Sequence, residues 1–167
     1  MNLAIKNNDF YEFGDAVKFI KSSFFPFWRR KNSHYRNEFV LGLGGNLGNT
    51  KKRFERFFMN LKNDKRFFIT QNSVILQNKA FGYTAQSDFL NAVMFVQTSK
   101  FPNEVLKIMQ RLELKFGRKR SFKNAPRTLD LDILYFDKKV RKTPRLILPH
   151  YGVNERVSVI LPLGLMR

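Results

Sequence analysis

The sequence predicts an α+β fold in which a mainly antiparallel sheet is flanked by helices. Two segments have apolar residues at helical spacing, and four others have the apolar or alternating pattern of strands. These segments follow one another in the order strand, helix, strand, strand, helix, strand, which favours a sheet packed against helices. The chain has 167 residues, of which 43% are hydrophobic and 19 are phenylalanine, so one domain with a substantial core is expected.

The first 38 residues differ in pattern from the rest of the chain. Residues 15–20 could form a short helix, and residues 24–31 read Phe-Phe-Pro-Phe-Trp-Arg-Arg-Lys. These aromatic side chains could bind a nucleic-acid base or a membrane surface, but aromatics beside a proline more often cover an apolar face of their own domain. We therefore predict an amino-terminal extension, residues 1–38, packed on a domain of residues 39–167.

A regular pattern begins at residue 39. Residues 39–43 are predicted to form a buried strand, and the glycine-rich residues 44–49 a turn. Asn49 or Thr50 can cap the helix that follows. The apolar residues of this helix recur at i, i+3, i+4 and i+7, which predicts core positions for Phe54, Phe57, Phe58 and Leu61.

The central part of the chain predicts two strands and a second helix. One strand covers residues 67–76, a polar loop covers 77–88, and another strand covers 89–96, where Phe89 and Asn91 share one face. The helix is predicted to begin near Pro102, because proline is tolerated in a first turn, and to end near Gly117. Its core positions are Val105, Ile108, Met109, Leu112 and Phe116, whereas a separate polar face is predicted for Gln110 and Glu113.

The last third of the chain begins with a basic loop, residues 118–124. A strand is predicted over 129–136, an apolar segment follows at 146–151, and a short helix is predicted over 154–161. These are the final elements of the predicted sandwich.

The charge balance points to an anionic partner. Lysine and arginine number 31 against 13 aspartate and glutamate, giving a net charge of +18, which suits nucleic acid, an acidic membrane surface or a polyphosphate ligand. The absence of cysteine excludes disulfides and cysteine-based zinc sites. No secretory signal or membrane-spanning stretch is recognisable, so we expect a cytoplasmic protein without a membrane partner.

The run Asp130-Leu131-Asp132 carries the most chemical information. A strand period of two puts both carboxylates on one face, roughly 6–7 Å apart. Such a pair can hold two hard cations about 3.5–4 Å apart, as in two-metal phosphoryl transfer, and Arg127 suits a phosphate between them. The pair could instead be the polar face of a half-exposed strand. The opposite, buried face is predicted to carry Leu129, Leu131, Ile133 and Tyr135.

Five motifs occur in order along the chain. They lie at residues 39–48, 88–92, 111–118, 126–133 and 149–156, and the fourth reads Pro-Arg-Thr-Leu-Asp-Leu-Asp-Ile. Together they resemble the 6-hydroxymethyl-7,8-dihydropterin pyrophosphokinases of folate biosynthesis. The resemblance implies a ferredoxin-like fold, two magnesium ions, and transfer of pyrophosphate from ATP to the pterin with release of AMP. It also implies a monomer with ATP and the pterin as ligands and no nucleic-acid partner.

The resemblance also implies roles for individual residues. Asp130 and Asp132 would bind both metal ions and, with Arg118 and Arg127, form the catalytic set. The implied ATP contacts are Gln110, Glu113, Arg120, Arg127, Ile133, His150, Tyr151 and Arg156. The implied pterin contacts are Gly44, Phe81, Phe89, Asn91 and Asp130.

Three positions depart from the family pattern. Gly45 replaces a serine in the glycine-rich turn, and the tryptophan usual in the catalytic loop is missing from residues 120–126. Ser158 stands where a second aromatic usually stacks on the pterin, so Phe81 or Phe122 would have to cover that ring face.

Two other functions are compatible with the sequence. The high positive charge and the aromatic string could belong to a nucleic-acid-binding module, whose affinity would fall steeply with salt. The missing aromatics could mark a relative that binds nucleotide without catalysis. Retention of both aspartates together with Arg127 argues for an active enzyme, because a site without catalysis would not need all three residues.

Overall fold

A computed structural model describes residues 3–6, 10–13, 16–80, 85–119, 122 and 124–166. The described strands are β1 (Leu3–Lys6), β2 (Phe10–Phe13), β3 (Ala16–Ile20), β4 (Phe27–Trp28), β5 (Asn37–Gly45), β6 (Phe67–Asn72), β7 (Ile75–Asn78), β8 (Phe89–Thr98), β9 (Asp130–Phe136), β10 (Arg141–Lys142) and β11 (Ile147–Leu148). The described helices are α1 (Thr50–Lys62), α2 (Pro102–Lys115) and α3 (Val157–Gly164). The predicted α+β fold class is confirmed.

Seven of these strands form one antiparallel sheet around β5 and β8. The main path of the sheet runs β3-β7-β8-β5-β9. β6 pairs with the carboxyl-terminal half of β8 and β7 with its amino-terminal half, and β4 lies outside β6. β5 pairs along one edge of β8, and the other edge of β8 is shared by β6 and β7.

The helices cover both faces of the sheet. On one face α1 and α2 pack into the main core, which contains all four apolar residues predicted for α1. Asn49 caps α1 by accepting a hydrogen bond from the backbone N–H of Lys52 at 3.0 Å. On the other face a smaller apolar cluster joins Val159 of α3 to Val40 and Val93 of the sheet.

A bulge in β9 changes which side chains face the core. Leu41 pairs with Ile133 and Val40 pairs with Tyr135, so Leu134 is an extra residue in the ladder. Beyond the bulge, Phe136 lies in the main core and Tyr135 packs against the smaller cluster. The prediction that Tyr135 shares the buried face with Ile133 is therefore wrong.

Two other predicted elements differ from the structure. The segment predicted as a helix over residues 15–20 contains strand β3 instead, because it pairs with β7 in the sheet. The single strand predicted over 67–76 is two strands. Ser73 interrupts the ladder, since its hydroxyl, rather than a backbone carbonyl, accepts the N–H of Val93 at 3.0 Å.

The aromatic string before residue 38 contributes to the main core. Phe25 is fully buried and contacts Phe54 and Phe58, and the Phe24 ring stacks on Phe58 with centroids 5.3 Å apart. Trp28, by contrast, is 65% exposed.

The helices are short. The longest described helix, α2, has 14 residues, and none in the described ranges is long and apolar enough to cross a membrane.

Candidate active site

A cavity of about 620 Å³ opens on the α3 side of the main sheet. Its floor comes from β5, β8 and β9, and its walls come from residues 78–80, from Arg118, Asn124 and Arg127, and from the segment around residues 150–159. The polar residues that line it include Asn78, Asn91, Arg118, Arg127, Asp130, Asp132, His150, Tyr151, Glu155 and Arg156. It therefore collects most of the residues that the sequence predicts for the site.

Two carboxylates project into this cavity from one strand. Asp130 and Asp132 alternate with buried residues of β9, as the strand period predicts, and both line the cavity. Directly opposite them in β5 stand Gly44 and Gly42. A Cβ atom at Gly44 would lie only 3.0 Å from Oδ1 of Asn91 on the neighbouring strand β8, so a side chain at this position would crowd the Asn91 amide.

Asp130 lies between two arginines. Arg127 donates from Nη1 to Oδ2 at 2.6 Å, and Arg118 Nη1 lies 2.5 Å from Oδ1. Arg118 also pairs with Glu113, whose Oε1 accepts the backbone N–H of Leu131 at 2.8 Å. This network holds two guanidinium groups at the cavity wall, and their planar N–H groups match the geometry of phosphate oxygens.

Asp132 lacks such a partner. In the part of the chain that the structure describes, no arginine or lysine forms an ion pair with it. Burial, followed by the negative charge of Asp130, raises the pKa of Asp132 to about 6. A divalent cation would supply the missing positive charge, and carboxylate oxygens are ligands that magnesium prefers. The two carboxylates therefore fit a magnesium site whose remaining ligands are waters or phosphate oxygens.

The raised pKa of Asp132 predicts a stabilising variant. Because the pKa of Asp132 is higher in the folded than in the unfolded chain, ionisation of Asp132 lowers the free energy of unfolding. This loss of stability is absent below about pH 4 and complete above about pH 6. Asp132→Asn should remove that cost and raise the melting temperature of the metal-free protein by roughly 5 °C at pH 8. The gain should shrink towards pH 4. Thermal unfolding of both proteins at the two pH values checks this, and an equal shift at both would contradict the assignment.

Phe89 and Asn91 form another wall of the cavity. Both extend from one face of β8, and the guanidinium of Arg127 lies 5.3 Å from the centroid of the Phe89 ring. Asn91 donates from Nδ2 to Oδ1 of Asn78 at 2.6 Å. A flat ring beside an amide suits a planar heterocycle that has hydrogen-bonding groups on its edge.

His150, Tyr151 and Arg156 line the cavity beside α3. The backbone N–H of His150 donates to the carbonyl of Leu134 at 2.8 Å, which joins this segment to β9. The His150 and Tyr151 rings lie 4.2 Å apart, and Arg156 donates to the Tyr151 hydroxyl at 3.0 Å. Burial and the positive charge of Arg156 lower the pKa of His150, so its imidazole is neutral at pH 7.

Three predicted ATP contacts do not line the cavity. Ile133 is buried in the main core, on the face of β9 opposite the carboxylates. Gln110 is exposed, whereas Glu113 is only 4% exposed, so the prediction that these two share a polar face is wrong. The physical reason is the ion pair with Arg118, which turns Glu113 towards β9. Burial raises the pKa of Glu113 to about 7.

Three further residues predicted for the site are not among the described residues of the cavity lining. Arg120 and Phe81 fall outside the described residues. Phe122 is described and 57% exposed, and it is not part of the cavity lining.

Asn46 joins three loops around the cavity, a function that the sequence analysis did not assign. Its Oδ1 accepts the backbone N–H of Arg127 at 2.9 Å, and its Nδ2 donates to Gln86 at 2.8 Å. Gln86 in turn donates to the carbonyl of Asn124 at 3.0 Å. The sequence feature that could have indicated this function is the position of Asn46 within the glycine-rich turn, residues 44–49.

Comparison with known proteins agrees with this geometry. Residues 40–166 match the family model described as 7,8-dihydro-6-hydroxymethylpterin-pyrophosphokinase. The chain is 49% identical to a 2-amino-4-hydroxy-6-hydroxymethyldihydropteridine pyrophosphokinase of Campylobacter jejuni, with 89% of this chain and 94% of that protein aligned. It is 39% identical to a protein of the same name from Helicobacter pylori, over 89% and 92% of the two chains. The chain therefore belongs to the 7,8-dihydro-6-hydroxymethylpterin-pyrophosphokinase family.

Proposed function

We propose that this chain transfers the terminal pyrophosphoryl group of ATP to the hydroxymethyl group of 6-hydroxymethyl-7,8-dihydropterin, as a step in folate biosynthesis. The observation that carries the proposal is the cavity that Asp130 and Asp132 share with Arg118 and Arg127, in a chain of the pyrophosphokinase family. The Campylobacter and Helicobacter relatives are named for the same pyrophosphokinase activity.

We assign two magnesium ions to Asp130 and Asp132. Magnesium is commonly held by one or two carboxylates together with phosphate oxygens and water, which is the ligand supply that this cavity offers. A carboxylate has about four acceptor sites, so Asp130 can bind a cation while it keeps its contacts with Arg118 and Arg127. When bound, the ions would neutralise negative charge on the triphosphate.

The arginines supply the rest of the electrostatic stabilisation. The bond that breaks joins the β-phosphorus to the oxygen that leaves with AMP, and the new bond joins the β-phosphorus to the hydroxymethyl oxygen. Negative charge spreads over the phosphoryl oxygens during this exchange. Arg118 and Arg127 are already held at the cavity wall by Asp130, so their N–H groups can meet that charge with little reorganisation.

Two groups of residues in the cavity lining suit the two substrates. Phe89 and Asn91 offer a ring face and an amide to the pterin, and Gly44 leaves room beside them. His150, Tyr151 and Arg156 lie at the other wall, where an aromatic pair and a guanidinium can contact the nucleotide. Asp130 pairs with Gly44 in the ladder between β5 and β9 and lines the same cavity, so we assign the reacting oxygens to the space in front of its carboxylate.

The proposed reaction predicts a strict product pattern. Purified protein mixed with ATP, magnesium and the reduced hydroxymethylpterin is expected to form AMP and pterin diphosphate in equal amounts. Omission of the pterin or chelation of magnesium should abolish AMP formation, since the pterin supplies the attacking oxygen and the metal neutralises the phosphates. Chromatographic separation of the nucleotides measures this. Formation of ADP, or of AMP without the pterin, would contradict the proposal.

A further inference from the structure

Asn78 is a buried polar residue of the cavity that the proposed reaction does not use. It ends β7, directly opposite Phe89 in the ladder between β7 and β8, and only 9% of its surface is exposed. Buried amides usually have hydrogen-bond partners that fix their orientation. The partners of Asn78 therefore indicate what it does.

The hydrogen bonds of Asn78 have a fixed direction. Its Nδ2 donates to the backbone carbonyl of Lys79 at 2.8 Å, and a carbonyl can only accept. Its Oδ1 must therefore face the other way, where it accepts a hydrogen bond from Nδ2 of Asn91 at 2.6 Å. The carbonyl of Lys79 thus sets the orientation of both amides in turn.

The consequence for Asn91 is a defined edge towards the cavity. With Nδ2 turned to Asn78, its Oδ1 lies on the side of Gly44, 3.0 Å from where a Cβ atom there would stand. Within the described part of the chain, this oxygen accepts no hydrogen bond from the protein. One N–H of Nδ2 also remains for a ligand. Asn91 therefore presents an acceptor and a donor in a fixed order.

We propose that Asn78 is a positioning residue that sets the amide orientation of Asn91 and thereby selects a heterocycle with an N–H group and an acceptor in the matching order on its edge. This inference rests on the proposed function, in which that heterocycle is the pterin. Without Asn78, the Asn91 amide is free to rotate by about 180°, which exchanges the acceptor and the donor. The loss should fall on pterin binding and leave nucleotide binding unchanged.

Isothermal titration calorimetry with 6-hydroxymethyl-7,8-dihydropterin and, separately, with a non-hydrolysable magnesium–ATP analogue tests the proposal. Asn78→Ala is expected to weaken pterin binding about tenfold, the effect of one lost hydrogen bond, and to leave the Kd of the analogue within about twofold. Asn78→Asp keeps an acceptor for Asn91 but replaces the donor to the Lys79 carbonyl by an oxygen that only accepts, so it should weaken pterin binding as Asn78→Ala does.

Asn72→Ala is the matched control. Asn72 is also a buried asparagine, 1% exposed, and donates to a backbone carbonyl, that of Phe24, at 2.8 Å, but it lies outside the cavity. Its loss should lower the melting temperature without changing either Kd. Equal pterin affinities of Asn78→Ala and Asn72→Ala, or an equal loss for both ligands in Asn78→Ala, would overturn the inference. Wild-type protein that binds the pterin but forms no AMP would refute the proposed function instead.

Discussion

Replacing either Asp130 or Asp132 by asparagine is expected to lower kcat by at least about a thousandfold. Asparagine keeps the shape of the side chain but removes the negative charge that binds a divalent cation. Both carboxylates line the same cavity, and Asp130 also orients Arg118 and Arg127. Steady-state rates of AMP formation at saturating magnesium, ATP and pterin measure the effect.

Asp137→Asn is the control for this prediction. Asp137 follows the same strand, but its carboxylate accepts the backbone N–H of Glu38 at 2.7 Å and it does not line the cavity. Its substitution should leave kcat within about twofold, because surface substitutions outside the site have small effects. If the two cavity variants retained rates comparable to that of the control, the carboxylates would have no part in the reaction.

Truncation of Phe25 to alanine is expected to cost about 3–5 kcal/mol in the free energy of unfolding. The Phe25 ring is fully buried between Phe54 and Phe58 of α1, so its removal leaves a cavity in the main core. A loss of this size corresponds to a fall of roughly 10 °C in melting temperature for a chain of this length. Chemical and thermal denaturation followed by circular dichroism measure both quantities.

This second prediction tests a proposal about the boundary at residue 38. We propose that residues 16–38 belong to the same folding unit as the rest of the chain, because β3 and β4 pair with the main sheet and Phe25 enters its core. Trp28→Ala is the control, since Trp28 is exposed and its loss should cost less than about 1 kcal/mol. Similar costs for the two variants would show that the extension packs only loosely on the domain.

Local signals were sufficient for the helices of the main core. In α1 the cap at Asn49 and the spacing of its phenylalanines act within one helix, so the sequence predicts both the start and the buried face. The alternation in β9 likewise predicts that Asp130 and Asp132 share a side. Each of these features depends on residues close together in the chain.

Features that depend on distant partners were not predictable. The segment containing β3 becomes a strand because β7 is available to pair with it, more than 50 residues later. The bulge at Leu134 arises from the register between β5 and β9, and it alone decides where Tyr135 points. Periodicity within one segment contains neither piece of information.

The candidate site shows the same division. The sequence predicts that Asn91 and Arg127 belong to it, and both line the cavity. It does not predict that Glu113 is buried by its ion pair with Arg118, or that Asn78 meets Asn91 across neighbouring strands. The function of Asn78 stays a prediction, which the Asn78→Ala variant tests.

The number of divalent ions bound with the nucleotide tests the central claim most directly. Manganese binding, followed by electron paramagnetic resonance in the presence of a non-hydrolysable ATP analogue, counts ions at sites that accept magnesium. We expect two manganese ions per wild-type chain and at most one in Asp130→Asn or Asp132→Asn at the same free concentration. Equal numbers in all three proteins would contradict the assignment of both ions to these carboxylates.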